Sequence, residues 1–334
     1  MAQASRLEIE NLRVTYSIEN STITALDGVV LKLSLEGSSL GVVGESGSGK
    51  TTLGMSIMGS LEPPAKVSSG TVIYDGKDVL NLSKEDLRKY QWEQVSMIYQ
   101  SAMNSLNPVK KVRDPIVEVL QEHRHISKNE ATDIALRLLS EVGIKKERSG
   151  DYPHEFSGGM RQRVVIALAL ALSPKLLIAD EPTSALDVVT QRQILALLKK
   201  KVSKSGLSLI FITHEISVLS DLVEEVLVMY SGEIVEKGAL NSVFREPLHP
   251  YTEMLLSTLL TIDSDLSVGS QTISTFGDQQ RRAKSGDPHP ALQRTANMCK
   301  YVFRCKYAFN RCSHEEPILT QVKNERWVAC HRWA

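Results

Sequence analysis

Gly44-Glu45-Ser46-Gly47-Ser48-Gly49-Lys50-Thr51, followed by Thr52, decides the fold. A short apolar run, Ser39–Val43, leads into it, and a stretch of helical character, Lys50–Gly59, leads out. Strand, glycine loop and helix in that order form a phosphate cradle. The glycines let successive backbone N–H groups turn inward toward an anion. The helix beginning at Lys50 adds the positive end of its dipole. Lys50 supplies a mobile cation, and the Thr51 hydroxyl can ligate Mg2+.

A second constellation completes this machinery. Leu176-Leu177-Ile178-Ala179 is a continuous apolar run that ends on Asp180-Glu181. Such a run suits a parallel strand buried on both faces, and ligands of open α/β sheets bind at strand carboxyl ends. Asp180 is the expected Mg2+ ligand, acting through water, and Glu181 the expected activator of the attacking water. The continuation Pro182–Asp187 argues against a merely solvated loop start.

Bulk properties exclude several other classes. Lys+Arg and Asp+Glu number 39 each, so no net field favours nucleic acid. Met1–Ser5 leads straight into alternating Leu7, Ile9, Leu12 and Val14, with no signal-peptide pattern. The most apolar stretch, Val164–Ala179, is interrupted by Ser173, Pro174 and Lys175 and is too short for a membrane span. The expectation is a cytosolic protein that reaches a membrane only through another protein.

Alternation predicts strands over Leu7–Tyr16 and Ile23–Leu35 with a turn at Glu19–Ser21. Further strands are read at Thr71–Tyr74, Val95–Tyr99 and Leu207–Thr213, and a hairpin at Ser231-Gly232 between Val226–Tyr230 and Glu233–Glu236. Helical spacing runs from Asp114 to Gly143, and Ser157 reads as the N-cap of a helix reaching Leu172. Asp263–Pro290 is polar and reads as a loose connector, which places a boundary near residue 260. Residues 1–260 are then one domain, and 261–334 a linker with a small extension holding all four cysteines.

Ser157-Gly158-Gly159-Met160-Arg161-Gln162-Arg163, between the loop and the Asp180-Glu181 strand, resembles the signature of the ATP-binding cassette (ABC) family. The resemblance spans residues 6–260. It implies an α/β P-loop NTPase with a RecA-like core, an antiparallel β-subdomain and a helical subdomain around residues 101–172. By the same resemblance, Tyr16 stacks on adenine, and Gln100 contacts Mg2+ and relays nucleotide state. Ser184-Ala185-Leu186-Asp187 matches the D-loop, and His214 is the switch histidine that reads the γ-phosphate. Ser157, Gly158 and Gly159 are implied to meet ATP held by the opposite subunit of a dimer. Phe156 and Met160 depart from the commonest signature, in which Leu and Gln stand.

His154–Arg163, Gln100–Pro108 and His249-Pro250-Tyr251-Thr252 narrow the likeness to ATPase subunits of oligopeptide/dipeptide importers. That branch implies a second, homologous ATPase subunit, two membrane-spanning permease subunits, and indirectly an external solute-binding protein. It also implies a peripheral place on the cytoplasmic face of the membrane, with Met103–Val112 as the docking surface. A soluble ABC ATPase of translation or DNA repair is the alternative. Such proteins commonly carry two cassettes or a long insertion before the signature, and this chain has neither. An exporter ATPase is a further possibility, though exporters usually lack such a tail.

Cys299-x5-Cys305-x6-Cys312-x17-Cys330 uses every cysteine. A cytosolic location argues against disulfides, and four thiolates suit a [4Fe–4S] cluster or tetrahedral zinc. Packing of the four without metal is the plain alternative. The importer branch often ends in a similar tail with a later Cys-His, as in Cys330-His331. Lys306 stands where that tail commonly has proline.

Overall fold

The computed structural model describes residues 6–18, 21–100, 102, 105–184, 186–264, 297–323 and 325–333, without side chains for 258–264. Strands β1 (Arg6–Ile18) and β2 (Ser21–Ser34) pair antiparallel. Glu19 and Asn20 of the expected turn lie outside the described residues. Leu7, Ile9, Leu12 and Val14 of β1 are fully buried, so the alternation did mark the inward face. The next elements are β3 (Ser39–Val43), α1 (Lys50–Met58), β4 (Ala65–Tyr74) and β5 (Lys77–Asp78). β4 flanks β1 on its free side, giving a four-stranded sheet of order β2-β1-β4-β5.

Helix α2 (Lys84–Glu93) precedes β6 (Val95–Ile98), and α3 (Asp114–Arg124), α4 (Lys128–Glu141) and α5 (Gly158–Ala169) form the helical region. The single helical stretch expected from Asp114 to Gly143 is two helices. His125 turns left-handed (φ 53°), and Ser127 caps a new start by accepting the Glu130 N–H at 3.2 Å. Helix α5 ends at Ala169, short of the expected Leu172. Its cap Ser157 accepts the Met160 N–H at 3.4 Å.

Then come β7 (Leu176–Asp180), α6 (Val188–Ser205), β8 (Ser208–Thr213), β9 (Glu225–Tyr230), β10 (Glu233–Ala239), α7 (Leu240–Arg245), α8 (Pro250–Ser264), β11 (Thr320–Lys323) and β12 (Arg326–Val328). These complete an eight-stranded sheet of order β11-β12-β10-β9-β3-β8-β7-β6, parallel from β9 to β6. Every residue of β3, β7 and β8 is buried, as strands covered on both faces require. The three strands deliver the glycine loop, Asp180-Glu181 and His214 to the same edge.

The last two strands do not stand apart. β12 pairs antiparallel with β10, Glu236 opposite Val328, so the core sheet continues across the boundary expected near residue 260. Most of the expected connector, residues 265–290, lies outside the described residues. The junction contains a buried ion pair. Arg326 reaches Glu236 at 2.6 Å, with side chains 5% and 0% exposed. Glu236 also accepts the Leu248 and His249 N–H groups at 2.9 Å each, and Arg326 donates to the Ser242 and Glu246 carbonyls. Beside it His249 is buried, accepts the Tyr251 N–H on Nδ1 at 3.0 Å, and has its pKa lowered to about 3 by burial.

Arg326→Ala leaves Glu236 charged and unpaired in the interior and should cost about 3–5 kcal/mol, read as a lowered denaturation midpoint. A second expectation concerns pH. His249 stays neutral in the fold, whereas the unfolded chain takes up its proton below about 6.5. Stability is therefore lost as pH falls from 6.5 toward 3, by up to ~1.4 kcal/mol per pH unit. His249→Asn should flatten that slope in denaturation curves measured from pH 7 to 5.

Candidate active site

The loop between β3 and α1 has glycine where nothing larger fits. A Cβ on Gly44 would lie 2.3 Å from the Met229 carbonyl oxygen. One on Gly49 (φ 101°) would lie 2.4 Å from that of Ala25. The Gly232 N–H donates to Ser48 O at 3.0 Å, so the β9–β10 turn braces the loop from behind. Lys50 is buried, and its ammonium donates to the carbonyls of Gly44 (2.8 Å) and Glu45 (2.9 Å). Burial lowers its pKa, while Glu181, Asp180 and Glu45 oppose the shift. Ser46, Gly47 and Thr51 are exposed at the mouth. Thr52 is buried, with its hydroxyl 3.4 Å from that of Tyr16, which places the Tyr16 side chain beside α1.

Asp180 is 1% exposed, yet neither carboxylate oxygen has a hydrogen-bond partner. Burial raises its pKa, with Glu181 adding to the rise. The Thr51 hydroxyl and Lys50 pull the other way, Thr51 without forming a well-shaped hydrogen bond. An orphaned buried carboxylate beside a threonine hydroxyl suits a divalent cation, which would restore the missing partners. Thr51 and Asp180 therefore fit Mg2+.

Glu181 follows in a left-handed conformation (φ 45°), a strained backbone for a non-glycine residue. Its N–H is tied to Ile212 O at 2.9 Å, which fixes the turn. The carboxylate accepts from Gln100 Nε2 at 3.1 Å on one oxygen and meets His214 Nδ1 at 2.8 Å on the other. Gln100 and His214, each just past the end of its own strand, thus converge on the Glu181 carboxylate at the end of a third.

Ser157, Gly158, Gly159 and Asp187 are not brought to the loop, and no described hydrogen bond links them to it. They meet each other instead. Asp187 caps α6 by accepting the Thr190 N–H (2.9 Å) and hydroxyl (2.7 Å). A Cβ on Gly159 would lie 2.2 Å from Thr190 Cγ2. Both departures from the common signature share a neighbour, Arg148. Its guanidinium stacks on Phe156 at 4.5 Å and donates to Met160 Sδ at 3.5 Å. Ala185, Met103 and Asn104 lie outside the described residues.

Cys299, Cys305, Cys312 and Cys330 are free thiols. Among the described residues they form no group of three within 4.8 Å of one another, the spacing that the alternative of one tetrahedral zinc needs. Among the described residues, the one group of three metal-type ligands within 4.8 Å of each other is Asp27, Glu233 and Glu316. Lys300 already supplies that group with a cation, 2.6 Å from Asp27 and 2.7 Å from Glu233. Burial raises the pKa of Cys299 to about 11 and also that of Cys305 and Cys330. Each rise is increased by neighbouring cysteines, so the thiols share one region.

Residues 26–184 match the family described as "ABC transporter", and residues 235–312 match "Oligopeptide/dipeptide transporter, C-terminal region". The dipeptide transport ATP-binding protein DppD of Caldanaerobacter subterraneus subsp. tengcongensis is 38% identical, the alignment covering 97% of this chain and 96% of that protein. The chain belongs to the ABC transporter ATPase family. The oligopeptide transport ATP-binding protein OppD of Bacillus subtilis is 40% identical over 96% of this ABC ATPase and 87% of its own length. A solved dimeric ATP-binding cassette, MJ0796 with ADP and Pi, aligns with a TM-score of 0.63 at 30% identity, covering 70% of this chain and 98% of that one. The cassette fold and ATP hydrolysis, with Mg2+, follow from this membership. No helix among the described residues is long and apolar enough to cross a membrane.

Two site neighbours of this ABC ATPase carried no signal of their own in the sequence. The Tyr251 hydroxyl accepts the Glu45 N–H at 2.8 Å, and Arg304 pairs with the Glu45 carboxylate. Tyr251 lay within a motif that marked kinship, and Arg304 directly precedes Cys305, but neither position indicated the loop.

Proposed function

We propose that this chain is the ATP-hydrolysing subunit of an importer of oligopeptides or dipeptides, docked on the cytoplasmic face of two membrane-spanning permease subunits. Its partner would be a second, homologous ATPase subunit, with an external solute-binding protein delivering cargo. The observation that carries the hydrolytic half is the Glu181 carboxylate, bonded to both Gln100 and His214 beside the unpartnered Asp180. The transport half is supported by the match over residues 235–312 and by relatives named for dipeptide and oligopeptide transport. A soluble cassette of translation or DNA repair has no comparable support.

Residues Gly44 to Thr52 receive the triphosphate, and Tyr16 the adenine. Thr51, Asp180 and Gln100 hold Mg2+, which when bound neutralises phosphate charge. Lys50 exchanges its two carbonyl partners for phosphate oxygens. Glu181 takes the proton of the attacking water, and His214 keeps that carboxylate aimed while reading the γ-phosphate. Ser157, Gly158 and Gly159 present the α5 N-terminus, and Asp187 the adjoining loop, to nucleotide on the opposing subunit. Their separation from this chain's own loop supports that role. The polypeptide divides at about residue 260 into the cassette and an extension. A cleft lined by Leu61, Trp92 and Tyr99 beside Gln100 supports permease docking at the following Met103–Val112 segment.

The four thiols of the extension hold a [4Fe–4S] cluster in this proposal. Their shared region supports it, and sulfurs too widely spaced for one tetrahedral ion disfavour zinc. Protein purified without oxygen should be brown with broad visible absorbance and carry iron. Colourless, iron-free protein would contradict the cluster.

Glu181→Gln in the assembled transporter should lower ATP turnover by ~100-fold or more while leaving ATP binding intact. His214→Ala should lose hydrolysis far more than affinity. Single-turnover hydrolysis and equilibrium ATP binding separate the two effects, and steady hydrolysis by Glu181→Gln would remove that residue from its role.

A further inference from the structure

The phosphate loop draws part of its support from the far end of the chain. Arg304 meets Glu45 fork to fork, Nη1 to Oε2 and Nη2 to Oε1, both at 2.8 Å. The guanidinium lies 5.8 Å from the ring centres of both Tyr230 and Tyr301. Those rings lie 5.1 Å apart by their centroids, and Tyr251 packs against them at 4.7 and 5.5 Å. Tyr251 accepts the Glu45 N–H, and Lys50 donates to the Glu45 carbonyl. Both the main chain and the side chain of this one loop residue are therefore held in place. Among the described residues, the hydrogen bonds on that side chain come from Arg304, in the cysteine-bearing segment.

The charge arrangement gives that grip a purpose. Glu45 sets a carboxylate at the mouth of a site that takes up a polyanion, and an unpaired negative charge there repels the incoming phosphates. Arg304 neutralises it and turns it aside. The guanidinium is placed by the turn Val302–Arg304, which lies between Cys299 and Cys305. On the other side of that turn, Lys300 fastens the segment to Asp27 and Glu233. The position of Arg304 therefore depends on how the cysteine segment is folded.

We propose that Arg304 is a positioning residue for nucleotide binding, acting through Glu45, so that the cysteine-bearing segment sets the affinity of the phosphate loop for MgATP. This rests on the loop being the nucleotide site. The test is the Kd for MgATP of the full chain, for wild type, Arg304→Ala, Glu45→Gln and the double variant. Arg304→Ala should weaken binding about 5-fold at low salt, and less as ionic strength rises. Glu45→Gln in the same background should restore most of the affinity, because the unpaired charge is gone. In the assembled transporter the loss should appear in KM for ATP more than in kcat.

Arg304→Lys keeps a cation but not the fork. It should lose less, with the loss again relieved by Glu45→Gln, and this keeps the question open to test if the alanine variant does not fold. Wild-type affinity in Arg304→Ala, or a loss in either Arg304 variant that Glu45→Gln does not relieve, overturns the proposal. Lys50→Ala serves as the control. If it binds MgATP as wild type does, the site itself is wrongly placed. If it loses binding while the Arg304 variants do not, only the role of Arg304 fails.

Discussion

A buried ammonium facing two adjacent carboxylates is the constraint on which the rest of this fold depends. Lys50 gives up most of its hydration and is repaid by two loop carbonyls. Asp180 is driven into the same interior with no partner of its own. Neither arrangement is a good way to stabilise a protein, since unsatisfied buried charge is costly. Both make sense for a chain built to close around a metal-bound polyanion. The parallel sheet makes this possible, because β3, β7 and β8 end together and project their successor residues into one space.

Glu181 shows how the same edge turns binding into a switch. Its left-handed backbone is held by Ile212, and its carboxylate by Gln100 and His214, so in the proposed function the γ-phosphate sensor and the Mg2+ ligand share one carboxylate. The signature residues lie elsewhere on the surface, at the start of α5, and meet Asp187 at the start of α6 through Thr190. In the proposed transporter, two such bodies on facing subunits would close or open with nucleotide.

Much of the cradle was legible because its chemistry is local. Gly44 to Thr51 and Asp180-Glu181 each sit within a few residues of an apolar strand, and strand alternation and continuous apolar runs report burial directly. Gln100 and His214 were legible through kinship, which named their roles at the strand ends. The break at His125 was missed because no glycine or proline marks it, and the left-handed turn depends on one residue's backbone. Helix α6 was not anticipated at all. The pairing of β12 with β10 escaped because the polar stretch before it suggested separation, and antiparallel pairing between distant segments leaves no local trace. Arg304 and Glu45 are likewise ordinary surface charges until the fold joins them. The four cysteines suggested a cluster by their number and by the likeness of the tail, and in the structure they are free of disulfides and share one region.

The central claim is that Asp180 is left without a partner because a divalent cation completes it when nucleotide binds. The direct measurement is electron paramagnetic resonance of Mn2+ retained by the full chain with ATP, after unbound metal and nucleotide have been removed. One Mn2+ per bound ATP in the wild type, with retention much reduced in Asp180→Asn, is the predicted result. Equal retention by the two proteins would contradict it.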